Sequence, residues 1–227
     1  MTPPGIPTDT NLFALPPDLP APIDDGLARH LPGRTVPPVR LRSTRGRLVD
    51  VAEVARNLSV FFLYPATVSP GIPIPGEWSE IPGARGCTLQ NCGFRNRYEE
   101  FRSLHCEVLG VSGQGQDPEA GLAEQIEFAQ RERLPFELLN DSAFELTRAL
   151  QLPTFVASLR SPTIFYQGQE STFPLQGRTL VKRLTFVADG GKIERVFYPV
   201  FPPDANASAV LGYLRGRGRT ARPVAEP

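Results

Sequence analysis

Two cysteines stand close together in the run Arg85-Gly-Cys-Thr-Leu-Gln-Asn-Cys92 and form a candidate redox pair. A loop rich in proline and glycine spans 66–86, and a helical pattern over 88–104 follows, so Cys87 stands at a loop–helix junction. Backbone N–H groups in a first helical turn have no partner inside the helix, and the helix dipole places partial positive charge there. A thiolate at that position is stabilised, and Arg85 adds charge of the right sign. The thiolate is the nucleophile, so Cys87 is the residue expected to attack an electrophile. Cys92 lies on the same helix. A separation of five residues rises ~7.5 Å along an α-helix, and a disulfide needs Cα atoms within ~7 Å. The spacing therefore predicts a switch: the sulfurs join only after the first turn and a half has unwound.

Two plainer readings compete with this one. Both cysteines could be small core residues, as buried cysteines commonly are. A zinc site using Cys87, Cys92, His105 and Cys106 is also conceivable, but His105 and Cys106 are adjacent and point to different sides. Cys106 precedes an apolar strand and is expected to be buried and inert. No metal or other cofactor is expected.

Elements that would position the pair can be read on either side of it. Val39–Leu41 and Leu48–Val51 flank a Gly46 turn and predict a short hairpin. Val60-Phe-Phe-Leu-Tyr64, stopped by Pro65, reads as a strand buried on both faces. In the helix at 88–104, Phe94, Tyr98, Phe101 and Leu104 share one side. Glu107–Val111 is the next strand. Asp117-Pro118-Glu119 opens a helix to about Arg133 with an N-cap oxygen, a proline and an acid. Phe136–Leu139 is extended, and Ser142-Ala-Phe-Glu145 reads as a capping box for a helix to about Leu150. Leu180–Val187 and Ile193–Tyr198 predict an antiparallel hairpin across Asp189-Gly-Gly191. Asn206–Arg215 closes as a helix. This order, a βαβ unit followed by a β-hairpin and a helix, matches an α/β protein with the thioredoxin fold. Residues 1–33 form a proline-rich extended arm, 34–215 the domain, and 216–227 an arginine-bearing tail. Trp78 and the prolines around it could be a lid over the site or a packed surface loop.

Composition narrows the function classes. The 227 residues are 41% hydrophobic and 21% charged with zero formal net charge, which gives no electrostatic case for nucleic acid or an anionic membrane. No apolar run is long enough to span a bilayer, and the first thirty residues lack a secretory pattern. Three cysteines are too few for a disulfide framework and fit a reducing compartment, so a cytoplasmic location is expected. Asn206-Ala-Ser208 is a glycosylation sequon, read as a chance match.

Four stretches resemble the peroxiredoxins, in particular the bacterioferritin-comigratory or Q-type group. They are Val60-Phe-Phe-Leu-Tyr-Pro65, the segment from Pro82 to Arg95 with its Gly-Cys-Thr-x-Gln-x-Cys pattern, Val108–Ser112, and Arg183–Val187 with Asp189–Ile193. The resemblance spans about 34–215. It implies a thiol-dependent peroxidase acting on hydrogen peroxide and organic hydroperoxides. Cys87 would be oxidised to a sulfenic acid, Cys92 would resolve it as an intramolecular disulfide, and thioredoxin or a similar dithiol would reduce the bridge. Arg183 matches the arginine that steadies the thiolate and polarises the O–O bond. Arg95 and Gln90 are weaker candidates. The family's compact proline-to-cysteine motif is interrupted here: Pro65 precedes Cys87 by 22 positions, and Ala84 stands where a threonine or serine is usual. Thr67 is the favoured replacement, with Ser69 the alternative. A monomer is expected. A general thiol–disulfide oxidoreductase and a non-catalytic thioredoxin-fold binding module remain as other readings.

Overall fold

A computed structural model describes residues 8–9 and 11–217. In chain order the first elements are β1 (Thr8–Asp9), β2 (Arg40–Ser43), β3 (Leu48–Asp50), α1 (Val51–Val54) and β4 (Ser59–Leu63). Next come β5 (Ile74–Pro75), α2 (Gly76–Glu80), α3 (Cys87–Asn96), α4 (Tyr98–Ser103), β6 (Glu107–Ser112), α5 (Pro118–Arg131), β7 (Glu137–Asn140) and α6 (Glu145–Leu150). The last are β8 (Thr154–Val156), β9 (Thr163–Tyr166), β10 (Gln169–Thr172), β11 (Thr179–Val181), β12 (Leu184–Asp189), β13 (Lys192–Phe197), a 3-10 turn (Pro203–Ala205) and α7 (Asn206–Arg217).

The centre is a seven-stranded sheet in the order β13-β12-β4-β6-β7-β2-β3. Strands β4, β6 and β7 run parallel, and β12 and β2 pair antiparallel on either side. Strand β4 lies inside the sheet between β12 and β6, and its side chains alternate between two cores. Phe61 and Leu63 join Leu109, Val111 and Phe186 on one face. Val60, Phe62 and Tyr64 meet Phe94, Phe101, Phe128 and Val210 on the other. Burying an aromatic or branched aliphatic side chain is worth about 1.5–3 kcal/mol. A strand apolar on both faces is thereby fixed inside the sheet, and its carboxyl end becomes the natural place for a site. The arrangement is the thioredoxin fold expected from the sequence.

Several local expectations need correction. The single helix over 88–104 is two helices, because Arg97 leaves helical geometry at φ −114°. The loop 66–86 contains β5 and α2. The capping box at Ser142 does not form: Ser142 bonds Asn140, while the Asp141 carboxylate accepts from the amides of Leu146 and Thr147 and from the Thr147 hydroxyl. The strand expected over Leu180–Val187 is broken at Lys182–Arg183, and its first part pairs with β8. The span 151–179 carries three strands with no apolar alternation to announce them. Arg217, assigned to the tail, is still in the closing helix and pairs with Asp189 and Glu194, while Arg215 pairs with Glu100. The rest of that tail lies outside the described residues.

The two irregular excursions, 66–86 and 151–180, pack on each other. Ala66, Ile74, Trp78, Ala84, Ala157, Leu159, Ile164, Phe173, Leu175 and Leu180 make a third, smaller apolar cluster beyond the carboxyl ends of the central strands. The amino-terminal arm is docked rather than free. Ala28 and Leu31 enter the main core, and Asp25 accepts from Lys182 Nζ at 2.6 Å and from the Tyr198 hydroxyl at 2.8 Å.

Candidate active site

Cys87 is the first residue of α3, as the loop–helix reading required. The helix is entered through Gly86 at φ +93°, a left-handed conformation natural to glycine, and a Cβ there would lie 2.5 Å from the Pro203 ring. No side chain caps this terminus. Its amides are therefore left to whatever charge the Cys87 sulfur carries. Phe94 anchors the helix from below, stacked on Phe62 with ring centroids 4.2 Å apart.

Arg183 comes to the same point from the break between β11 and β12. It is 3% exposed. Its Nη2 lies 3.2 Å from Cys87 Sγ and donates to the carbonyls of Arg85 at 2.9 Å and Gly83 at 3.2 Å. Its Nη1 donates to Gln90 Oε1. Among the described residues no carboxylate joins these bonds, so a thiolate formed at Cys87 would face this buried guanidinium directly. The break that interrupts the expected strand is what turns Arg183 inward.

Thr67 is buried and lines the cavity that contains Cys87, together with Leu12, Ala14, Ile74, Trp78, Thr88 and Leu175. Its amide and hydroxyl both donate to Gln114 Oε1, at 3.0 and 3.1 Å. Ser69 is exposed and does not line this cavity. Of the two candidates, only Thr67 lines the cavity that contains Cys87.

Cys92 faces elsewhere. Its sulfur lies 3.7 Å from Glu132 Oε2. Burial pushes its thiol up to about 11, with Arg95 opposing and the Glu132 carboxylate adding to the rise. Arg95, considered for the thiolate site, instead donates to the Glu132 carbonyl at 2.7 Å and pairs with its carboxylate at 3.5 Å. All three cysteines are free thiols. Cys106 is buried, its thiol pushed up to about 12 by burial, in keeping with an inert role.

Residues 81–195 match the AhpC/TSA family, a span that contains Cys87, Cys92 and Arg183. The chain belongs to that family. This AhpC/TSA chain is 26% identical over 189 residues to the chloroplastic peroxiredoxin Q of Sedum lineare, covering 83% of itself and 80% of the relative. It is 27% identical over 184 residues to that of Gentiana triflora, covering 81% of itself and 66% of the relative. Among solved structures, the peroxidoxin BcpB of Mycobacterium tuberculosis superposes with a TM-score of 0.56 at 24% identity, over 86% of this chain and all of the other. Peroxiredoxin Q of Xanthomonas campestris gives 0.56 at 20% identity over 83% and 97%. These likenesses agree with the fold.

Sequence reasoning missed or underrated the residues that hold the site together. Gln90 ties Arg183 to the closing helix: its Nε2 donates to Asn206 Oδ1 at 2.9 Å, and the Thr185 hydroxyl donates to the same oxygen at 2.7 Å. Asn206, noted only as a sequon, is buried. Gln114 is buried between Thr67 and Glu124. Its only sequence mark was a position between two glycines just after a strand.

Proposed function

We propose that the chain is a thiol-dependent peroxidase in which Cys87 is the peroxidatic and Cys92 the resolving cysteine. The observation that carries this reading is the contact of the buried Arg183 with the sulfur of a helix-initiating cysteine. The thiolate attacks the terminal oxygen of a hydroperoxide. The S–O bond forms as the O–O bond breaks, the alkoxide or hydroxide leaves, and it takes up a proton. Arg183 stabilises the charge that develops. Thr67 would orient the peroxide through its hydroxyl, held by Gln114.

The second step joins Cys92 to the sulfenic acid and releases water. Cys92 sits in its own buried contact with Glu132, so this step requires α3 to open. An external dithiol such as thioredoxin would then exchange with the disulfide and restore both thiols. We place this cycle in a reducing compartment such as the cytoplasm. Both cysteines lie on one chain, which supports a monomer as the working unit.

The test is peroxide consumption with a thioredoxin system. Cys87→Ser should abolish it, and Cys92→Ser should accumulate a sulfenic acid that a dimedone probe traps on Cys87. Thr67→Val should slow the first step by about tenfold or more, with Ser69→Ala near wild type. Activity that survives Cys87→Ser would overturn the assignment. The position of Arg183 beside the sulfur, in the break just before β12, favours a peroxidase over a general disulfide oxidoreductase, which would need no such cation.

A further inference from the structure

A stretch of the amino-terminal arm that the chemistry itself does not need forms part of the wall of the Cys87 cavity. Strand β1 pairs antiparallel with β5, Thr8 opposite Pro75 and Asp9 opposite Ile74. The Asn11 carbonyl then accepts from Arg85 Nη2 at 3.2 Å. Leu12 and Ala14 form part of the cavity wall, together with Thr67 and Thr88. Leu12 also packs on the small cluster that contains Ile74 and Trp78. Leu15 Cδ2 lies 3.2 Å from where a Cβ on Gly86 would stand. The arm is thus pinned on both sides of the residues that touch the cavity.

The space left is small. It measures about 30 Å³ as volume open to the centre of a water-sized sphere. One water needs roughly 10–15 Å³ on that scale. Hydrogen peroxide, with two oxygens, fits. A hydroperoxide carrying a ring or branched alkyl group would crowd against Leu12 and Ala14 there. The walls do not reject such a group by polarity, because Leu12, Ala14, Ile74, Trp78 and Leu175 are apolar. Size alone decides.

We propose that residues 11–15 act as a size filter, with Leu12 as the specificity-determining residue that favours hydrogen peroxide over bulky organic hydroperoxides. The proposal rests on the peroxidase reading for its substrate but not for its geometry. The experiment therefore has two arms, both on the full chain. In the first, kcat/KM is measured for hydrogen peroxide and for cumene hydroperoxide. Leu12→Ala should raise the cumene-to-hydrogen-peroxide ratio about tenfold, the scale on which an apolar wall discriminates by a few carbons. Leu12→Phe should lower it. In the second, alkylation of Cys87 by iodoacetamide and by N-phenylmaleimide is followed by peptide mass spectrometry in a Cys92→Ser background, and the bulky-to-small ratio should move in the same two directions. Ratios that stay within twofold of wild type in both variants overturn the filter. Peroxide inertness of the wild-type chain with alkylation ratios that move as expected would overturn the peroxidase reading and leave the filter standing.

Discussion

Arg183 shows how much of the site one side chain organises. Its guanidinium reaches the reacting sulfur, two carbonyls of the loop that delivers Cys87, and Gln90 one turn along the helix. A lysine brings the charge but not the planar fork that serves these acceptors together. Arg183→Met should slow oxidation of Cys87 by about 10²-fold, the usual cost of losing one donor to developing charge, and Arg183→Lys should fall between it and wild type. Trp78 is the chain's one tryptophan and lines the same cavity, so stopped-flow tryptophan fluorescence follows the step directly. At this scale the sequence was legible where a residue type announces its chemistry. Cys87 and Cys92 were singled out that way, and Arg183 only through the family resemblance. Gln90, Gln114 and Asn206 are amides whose meaning comes from partners distant along the chain, as with the 116 positions between Gln90 and Asn206. Spacing cannot register such pairs.

Helix α3 is where catalysis and local stability meet. In the reduced state Gln90 and Asn91 are buried, and Asn91 Nδ2 donates to the Cys87 carbonyl at 2.9 Å. A Cys87–Cys92 disulfide must break this turn and the Gln90 bonds to Arg183 and Asn206. Amide hydrogen exchange should show the backbone of 89–93 protected in the reduced protein and exchanging at least tenfold faster once oxidised, with β4 and β6 unchanged; equal protection in both states would contradict the unwinding. The helix starts at Cys87, one residue before the span read from the sequence, because a glycine-rich loop meets an apolar periodicity there. Its division at Arg97 was not legible, since Tyr98 and Phe101 continue the apolar spacing across the break. Likewise β10 is exposed along its whole length. A strand that buries nothing leaves no alternation to read.

For the molecule as a whole, the central strands were legible because burial on both faces demands uninterrupted apolar runs, as in β4. The excursions that roof the site were not, since they are held by packing on each other. Global stability carries a signature of the buried thiols. Cys106 keeps its proton up to about 12 in the folded protein, whereas an unfolded thiol loses it near ~8.5. Between those values the folded state binds more protons, so stability falls as pH rises. Urea unfolding of the reduced chain should show a loss between pH 8.5 and 10.5 of about 2 kcal/mol attributable to this group, and Cys106→Ala should flatten that slope; an unchanged slope would contradict it. The burial of Asn206 reaches beyond the folded molecule. Its amide is the hub between Gln90 and Thr185, yet Asn206-Ala-Ser208 is the signal that an oligosaccharyl transferase reads on unfolded chains. Chain threaded through a eukaryotic secretory route would receive a sugar on an amide that is buried in the fold, and so would be unable to close α7 over the active-site helix. The choice of expression host is thus part of this protein's folding problem.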